Sequence, residues 1–325
     1  MKVAVVGCGG MGQYHAQSYA KMPGVELTGV CDVDYELALD AAKKVNTSAF
    51  RSFEEMVLSA EFDVVSIAVP SYLHKELVVK VAAAGKHIIC EKPIALHPQD
   101  ALEMIRCCEE YGVRLFIGHV VRFFPEYAQI KQQVDAGLIG KARVANARRV
   151  GGHPGEARSW FKEADKSGGV IVDLMVHDID FMRWTLGEAK SVYAMGHCNG
   201  EIEYALVTLV FESGAVANLE AFWGYPGSFR YAAEFAGSGG LVSTDSMKSQ
   251  SLQIRKSAQE QSGDKVVEIP QSPGFTDPYY KELQHFLSCI KTGSEPIVTA
   301  HDAYKALEIA AAARESLETG KVVLL

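Results

Sequence analysis

The chain has no run of Lys and Arg that would track a phosphate backbone. Its 40 acidic side chains outnumber its 32 basic ones, for a formal charge of −8. That balance excludes nucleic acid as a natural partner. No apolar run approaches the roughly 20 residues of a membrane-spanning helix, so no membrane partner is expected. Cysteine is present but scattered, at Cys8, Cys31, Cys90, Cys107, Cys108, Cys198 and Cys289, with no C-x-x-C. That spacing suits reduced thiols and makes a metal site an unpromising expectation. The opening KVAVV carries no signal-peptide pattern and no lipidation motif, which leads to the expectation of a cytoplasmic protein. Internal repeats and low-complexity segments are also lacking. What remains is 325 residues, 48% of them apolar, enough to build about two cores rather than a disordered chain.

The first third alternates in period. KVAVVG, VELTGVC, DVVSIAV, KHIIC and VRLFIG read as short buried strands. Between them lie helical patterns: Gly10 to about Met22, DYELALDAAKKV, LHKELVVKVAAAG ending at Gly85, and PQDALEMIRCCEEYG ending at Gly112. Strands alternating with amphipathic helices predict βαβ units, hence an α/β fold with a doubly wound parallel sheet. After Gly118 the rhythm changes. Helices are expected at EYAQIKQQVDAG and HDIDFMRWTLG, and strands at KARVANARRV, KSVYAMGHC, YALVTLVF, AVANLEAFW, RYAAEFAG, GLVSTD and SLQIRK. Strands joined by turns such as ESGA predict a large, mostly antiparallel open sheet in a C-terminal α+β domain. Thr276-Asp277-Pro278 reads as a helix start, and a last helix stops at Gly320. The expected division is 1–120 and 121–325.

Gly7, Gly9 and Gly12 form G-x-G-x-x-G between the first strand and the first helix. The first glycine permits the tight turn, the second admits a pyrophosphate, and the third lets helix pack on strand. The helix opening at Gly10 and Met11 offers its N–H groups and dipole to the phosphates. Asp32, at the end of the second strand, can accept both hydroxyls of an adenosine ribose and would repel a 2′-phosphate. No Arg follows it in CDVDYE, so the cofactor expected in this Rossmann domain is NAD rather than NADP.

Two further clusters point to chemistry. Glu91-Lys92-Pro93 ends a strand, on the side of an open sheet where ligands bind, and Pro93 leaves a cis bond open. Asp173 and His177 are four apart, a spacing that puts them on one helical face. Imidazole suits proton transfer near neutral pH, and a carboxylate beside it would orient the ring. Asp178 and Asp180 read as helix-start acids that complement the dipole.

The segments VGCGGMG, CDVD, VPSYLH, CEKP, GHVVRFFPEY and GGVIVDLMVHDID are similar, in order and spacing, to those of the glucose–fructose oxidoreductase / inositol dehydrogenase / MocA (Gfo/Idh/MocA) family. The resemblance is strong over about the first 190 residues. It implies a dinucleotide domain followed by an α/β domain whose open sheet builds a homodimer or homotetramer. It also implies hydride transfer involving a small-molecule sugar, inositol or related polyol. By resemblance, Lys92, Asp173 and His177 match the catalytic trio and contact substrate. Val69, Ser71, His74, Glu91, Lys92 and Trp160 join Gly7, Gly9, Gly10, Met11, Gly12 and Asp32 around the cofactor. Arg122 and Arg149 fall toward substrate. Oxidising a secondary alcohol needs the hydroxyl proton removed. His177 would take it, Asp173 would hold the ring, and the Lys92 cation would stabilise the developing alkoxide. Ser71 stands where the family often has Asn, and Trp160-Phe161 where it often has Trp-Arg. Arg148, Arg158 and Arg230 are additional candidates for an anionic sugar, beside His153, Trp223 and Tyr225. Two alternatives stay open: a redox-neutral, NAD-using glycoside hydrolase, and a non-catalytic NAD sensor on the same fold.

Overall fold

A computed structural model of the chain describes residues 1–248, 253–256 and 277–325. Ser251 and Leu252 of the expected strand SLQIRK, and Thr276 of the expected helix start, lie outside the described residues. Among the described residues no helix is long and apolar enough to cross a membrane.

The chain forms two compact units. The first is built on β1 (Lys2–Val6), β2 (Glu26–Cys31), β3 (Ala49–Phe50), β4 (Val64–Ile67), β5 (His87–Glu91) and β6 (Leu115–Gly118). They pair in parallel in the order β3-β2-β1-β4-β5-β6. Helices α1 (Gly10–Lys21), α2 (Tyr35–Val45), α3 (Phe53–Ser59), α4 (His74–Ala83) and α5 (Pro98–Glu110) connect them. Val3, Ala4, Val5, Val64, Val65 and Ile67 are fully buried, as a parallel sheet covered on both faces requires. Chain order reverses between β1 and β4, and that switch opens a crevice beyond the carboxyl ends of the strands. β3 and α3 are too short to stand out in the periodicity.

The second unit opens with α6 (Pro125–Asp135) and β7 (Ala142–Gly151). The one-turn helix α7 (Ala164–Ser167), whose last three residues belong to the first unit, follows in the chain, then a π-helical stretch, Val170–Met175, that runs straight into α8 (Val176–Leu186). The sheet is completed by β8 (Ala189–Cys198), β9 (Glu203–Phe211), β10 (Val216–Trp223), β11 (Arg230–Gly237), β12 (Gly240–Asp245) and β13 (Gln253–Lys256). With the C-terminal β14 (Val323–Leu324) it has eight strands, in the order β13-β12-β11-β7-β10-β9-β8-β14. All pairs are antiparallel except β7–β10. β9 and β10 alternate inside and outside. Ala205, Val207, Leu209, Leu219 and Ala221 face the side on which α8 packs, where Phe181 meets Phe235 edge-on at 5.4 Å.

Compactness groups two later segments of the chain with the first unit. Besides Met1–Val120, the first unit takes in Asp165–Ser167 and Thr276–Leu307. Helix α9 (Pro278–Thr292) therefore belongs to the first unit, and α10 (Ala300–Thr319) begins there. The reason is apolar. Phe286 is fully buried with its ring 5.1 Å from Phe116 of β6, and Tyr279 lies 5.3 Å from Tyr14 of α1. Arg114 adds donors to the carbonyls of Cys289 and Ser294 at the end of α9.

Asp178 and Asp180 also differ from expectation. The helix begins upstream, at the π-helical stretch, so neither acid caps it. Both are buried (1% and 0% exposed) and bidentately paired. Asp178 accepts from Nε and Nη2 of Arg149 at 2.9 Å each, and Nη2 also donates to the Tyr127 hydroxyl at 3.2 Å. Asp180 accepts from Nε and Nη2 of Arg122 at 2.9 and 2.6 Å. Removing one member of such a pair leaves an uncompensated charge in the interior. Asp178→Ala is expected to lower unfolding stability by about 3–5 kcal/mol, measured by denaturant titration, while replacing both Asp178 and Arg149 by apolar residues costs far less.

Candidate active site

The glycine loop is built so that only glycine fits. Gly7 has φ +94, and a Cβ there would lie 2.5 Å from the carbonyl oxygen of Ala68. A Cβ on Gly12 would lie 1.7 Å from the Gly7 oxygen. Helix and strand thus touch backbone to backbone. Helix α1 starts at Gly9 with no side-chain cap, and nothing lies within 4 Å of where a Gly10 Cβ would sit. The open space beside Gly10, at the N-terminus of this helix, fits a pyrophosphate. The structure places Asp32 beside this loop. Its Oδ2 accepts the Cys8 N–H at 2.7 Å and its Oδ1 accepts the Asp34 N–H at 2.9 Å. A carboxylate has about four acceptor positions, so it retains capacity for two ribose hydroxyls while tying the glycine loop to the end of β2. Burial pushes the Cys8 and Cys31 thiols up to about 12, so both stay protonated and inert.

The next residues gather at the ends of β4 and β5. Val69 packs against the glycine loop, its Cγ1 3.0 Å from the position of a Gly7 Cβ. Ser71, buried, opens a short 3₁₀ turn, Ser71–Leu73. His74 links two loops. It is 1% exposed, with Nδ1 2.8 Å from the Pro93 carbonyl oxygen and Nε2 3.0 Å from that of Val69. Burial holds its pKa below the ordinary imidazole value, outweighing the two carbonyls. Glu91 ends β5. Its Oε1 lies 3.0 Å from Nε2 of His15 on α1, facing into the unit. Burial alone would raise the Glu91 carboxyl, but the nearby His15, Lys92 and His74 outweigh it and hold it below its ordinary value. Lys92 follows directly, and its peptide bond to Pro93 is cis.

In the second unit, Asp173 is buried in the π-helical stretch and His177 is half-buried as the second residue of α8. The start of this helix is fixed by a residue the sequence did not single out. Glu203 of β9 accepts the Val170 N–H at 2.9 Å. Its other oxygen lies 3.5 Å from Nε2 of His153, and the His153 ring lies 5.3 Å from Trp223. Trp160 stacks on Phe161 at 3.8 Å. The guanidinium groups of Arg122 and Arg149, the arginines expected toward substrate, are buried against Asp180 and Asp178. Arg148, one residue along β7, points to the opposite sheet face and pairs with Glu220 at 3.1 Å. Arg230 lies over the Tyr225 ring at 5.6 Å, and Arg158 is exposed.

Two family models account for most of the chain. Residues 1–119 match the oxidoreductase family with an NAD-binding Rossmann fold, and residues 131–325 match that family's C-terminal alpha/beta domain. The chain belongs to the Gfo/Idh/MocA family. It is an NAD-dependent oxidoreductase acting on CH–OH groups, of the sugar and inositol dehydrogenase type. It is 32% identical to the scyllo-inositol 2-dehydrogenase (NAD(+)) of Bacillus subtilis (strain 168), over all of this chain and 96% of that protein. It is 33% identical, over 68% of this chain and 60% of that protein, to the 2,7-anhydro-N-acetylneuraminate hydratase of Escherichia coli (strain K12). Among solved structures, GenD2 from gentamicin A biosynthesis in complex with NAD superposes with a TM-score of 0.88 at 25% identity, over all of this chain and 96% of that one.

If Asp32 excludes a 2′-phosphate, titration calorimetry will show NAD binding much more tightly than NADP, and Asp32→Ala will narrow that gap; equal affinities in the unaltered protein would refute the carboxylate argument. Gly12→Ala is expected to abolish NAD binding, because the loop must move to admit the methyl group.

Proposed function

We propose that this protein oxidises a secondary hydroxyl of a cyclic polyol or sugar, with Lys92, Asp173 and His177 handling the hydroxyl and its proton. The observation that carries the reading is the presence of all three residues at the family's motif positions: Lys92 at the end of β5, and Asp173 and His177 at the start of one helix. Bound NAD supplies the hydride acceptor. His177 removes the hydroxyl proton as the carbon gives up hydride. Asp173 orients the imidazole, and the Lys92 ammonium stabilises the oxygen as negative charge develops. Ser71 and Trp160 contribute to the nicotinamide side. The inositol activity of the Bacillus relative, which spans the whole chain, makes scyllo-inositol and myo-inositol the first substrates to test. The sheet face that carries Arg148, Asn218, Glu220 and Glu234 is where a homodimer or homotetramer would form. The free thiols suit a cytoplasmic protein.

A second, redox-neutral reading is favoured by the hydratase relative, since hydration involves no net oxidation. In it, the same residues would withdraw and return the proton while NAD is regenerated within each turnover.

His177→Ala and Lys92→Ala are each expected to lower kcat by about 10²–10⁴-fold, with NAD affinity unchanged. A fully active His177→Ala protein would remove this residue from the mechanism. A fully active Lys92→Ala protein would do the same for Lys92.

A further inference from the structure

Two buried histidines in the first unit have no place in the proton chemistry above, and both act on the immediate neighbours of Lys92. His15 lies on the buried face of α1 and is 1% exposed. Its Nδ1 is 2.8 Å from the hydroxyl of Ser66 in the middle of β4, and Ser66 also receives the hydroxyl of Tyr19 at 3.3 Å. Its Nε2 is 3.0 Å from Glu91. When His15 carries its proton on Nε2, the hydrogen bonds run from Tyr19 to Ser66 and from Ser66 to Nδ1, and the Nε2 edge lies against Glu91 Oε1 as a close polar contact. His74, the first residue of α4, reaches the Pro93 carbonyl on the other side of Lys92.

An apolar side chain at positions 15 and 66 would bury the same surface without desolvating polar groups. Interior polar chains of this kind are weak sources of stability. What this one does is end on a carboxylate that directly precedes Lys92. His15, with Lys92 and His74, favours the ionised form of Glu91 there. The residue before Lys92 is thus held through its side chain and the residue after it through its carbonyl.

We propose that His15 and His74 are positioning residues for Lys92, His15 acting through the Glu91 carboxylate and His74 through the Pro93 carbonyl. The inference rests on the reading that Lys92 acts on the substrate hydroxyl. Misplacing such a group by about 1 Å costs on the order of 100-fold in rate.

The test follows Lys92 without turnover. Lysines of the full chain are reductively methylated with ¹³C-formaldehyde, and the Lys92 signal is identified by its loss in Lys92→Arg. In NAD-bound protein, His15→Phe and His74→Phe are expected to shift and broaden that signal. His15→Gln, which can still donate an amide N–H to Glu91, is expected to restore it toward its original position. With scyllo-inositol as probe, kcat should fall about 10- to 100-fold in both Phe variants, with NAD affinity unchanged and kcat largely recovered in His15→Gln. An unchanged Lys92 signal in folded Phe variants overturns the proposal, as does failure of His15→Gln to recover any part of it. Should His15→Phe fail to fold, Ser66→Ala interrupts the same chain with the loss of one hydroxyl, and an unmoved Lys92 signal there overturns it equally. A Lys92→Ala protein that keeps full turnover while the signal moves as expected would sink the catalytic reading of Lys92 and leave the positioning intact.

Discussion

The carboxylate of Glu91 is the group on which the first unit's functional end depends. It closes β5 in a buried position, where an ionised acid needs a partner to compensate lost hydration. His15 supplies that partner from α1, the helix that also carries the phosphate-facing turn. One helix therefore performs two tasks. Its N-terminus faces the dinucleotide, and one turn further on its imidazole fixes the residue before Lys92. Backbone contact between Gly12 and Gly7 makes this geometry possible, because it sets how closely α1 lies on the sheet.

The second unit solves the equivalent problem with different chemistry. The helix that bears Asp173 and His177 is anchored on both sides of His177. Glu203 fixes its start at Val170, and the pairs Asp178–Arg149 and Asp180–Arg122 fix the turn after it. These pairs desolvate four charges, and burial of that kind contributes little net stability. It does penalise any rotation of α8 that would separate a guanidinium from its carboxylate, so the helix has one tolerated setting.

The sequence carried the βαβ alternation, the glycine loop and Asp32 openly, because each is a local pattern with a local cause: strand period, turn geometry and a fixed distance to the second strand. It carried the antiparallel sheet almost as openly, through inside–outside alternation in YALVTLVF and AVANLEAFW. The pairing of charges was hidden. Asp178 and Asp180 look like helix-start acids because their partners are 29 and 58 residues away, and nothing local distinguishes a buried carboxylate from a solvated one. Arg149 reads as an anion binder for the same reason, and Arg122 falls toward substrate by resemblance alone. His15 left a faint signal: Gly12, His15, Ala16 and Tyr19 share one helical face, so the histidine had to be buried. Its partner Glu91 could be found only through the strand order. Helix α9 was assigned to the second half by chain position, whereas its Phe286 packs on β6 of the first unit.

The measurement that tests the account most directly is the appearance of reduced nicotinamide. Purified protein is supplied with NAD and a panel of inositols, aldoses, uronic acids and amino sugars, and absorbance of NADH is followed in solution. The dehydrogenase account predicts stoichiometric accumulation of NADH with one class of cyclic alcohol. Conversion of a panel member with no NADH released at any time would contradict it and leave the redox-neutral reading standing.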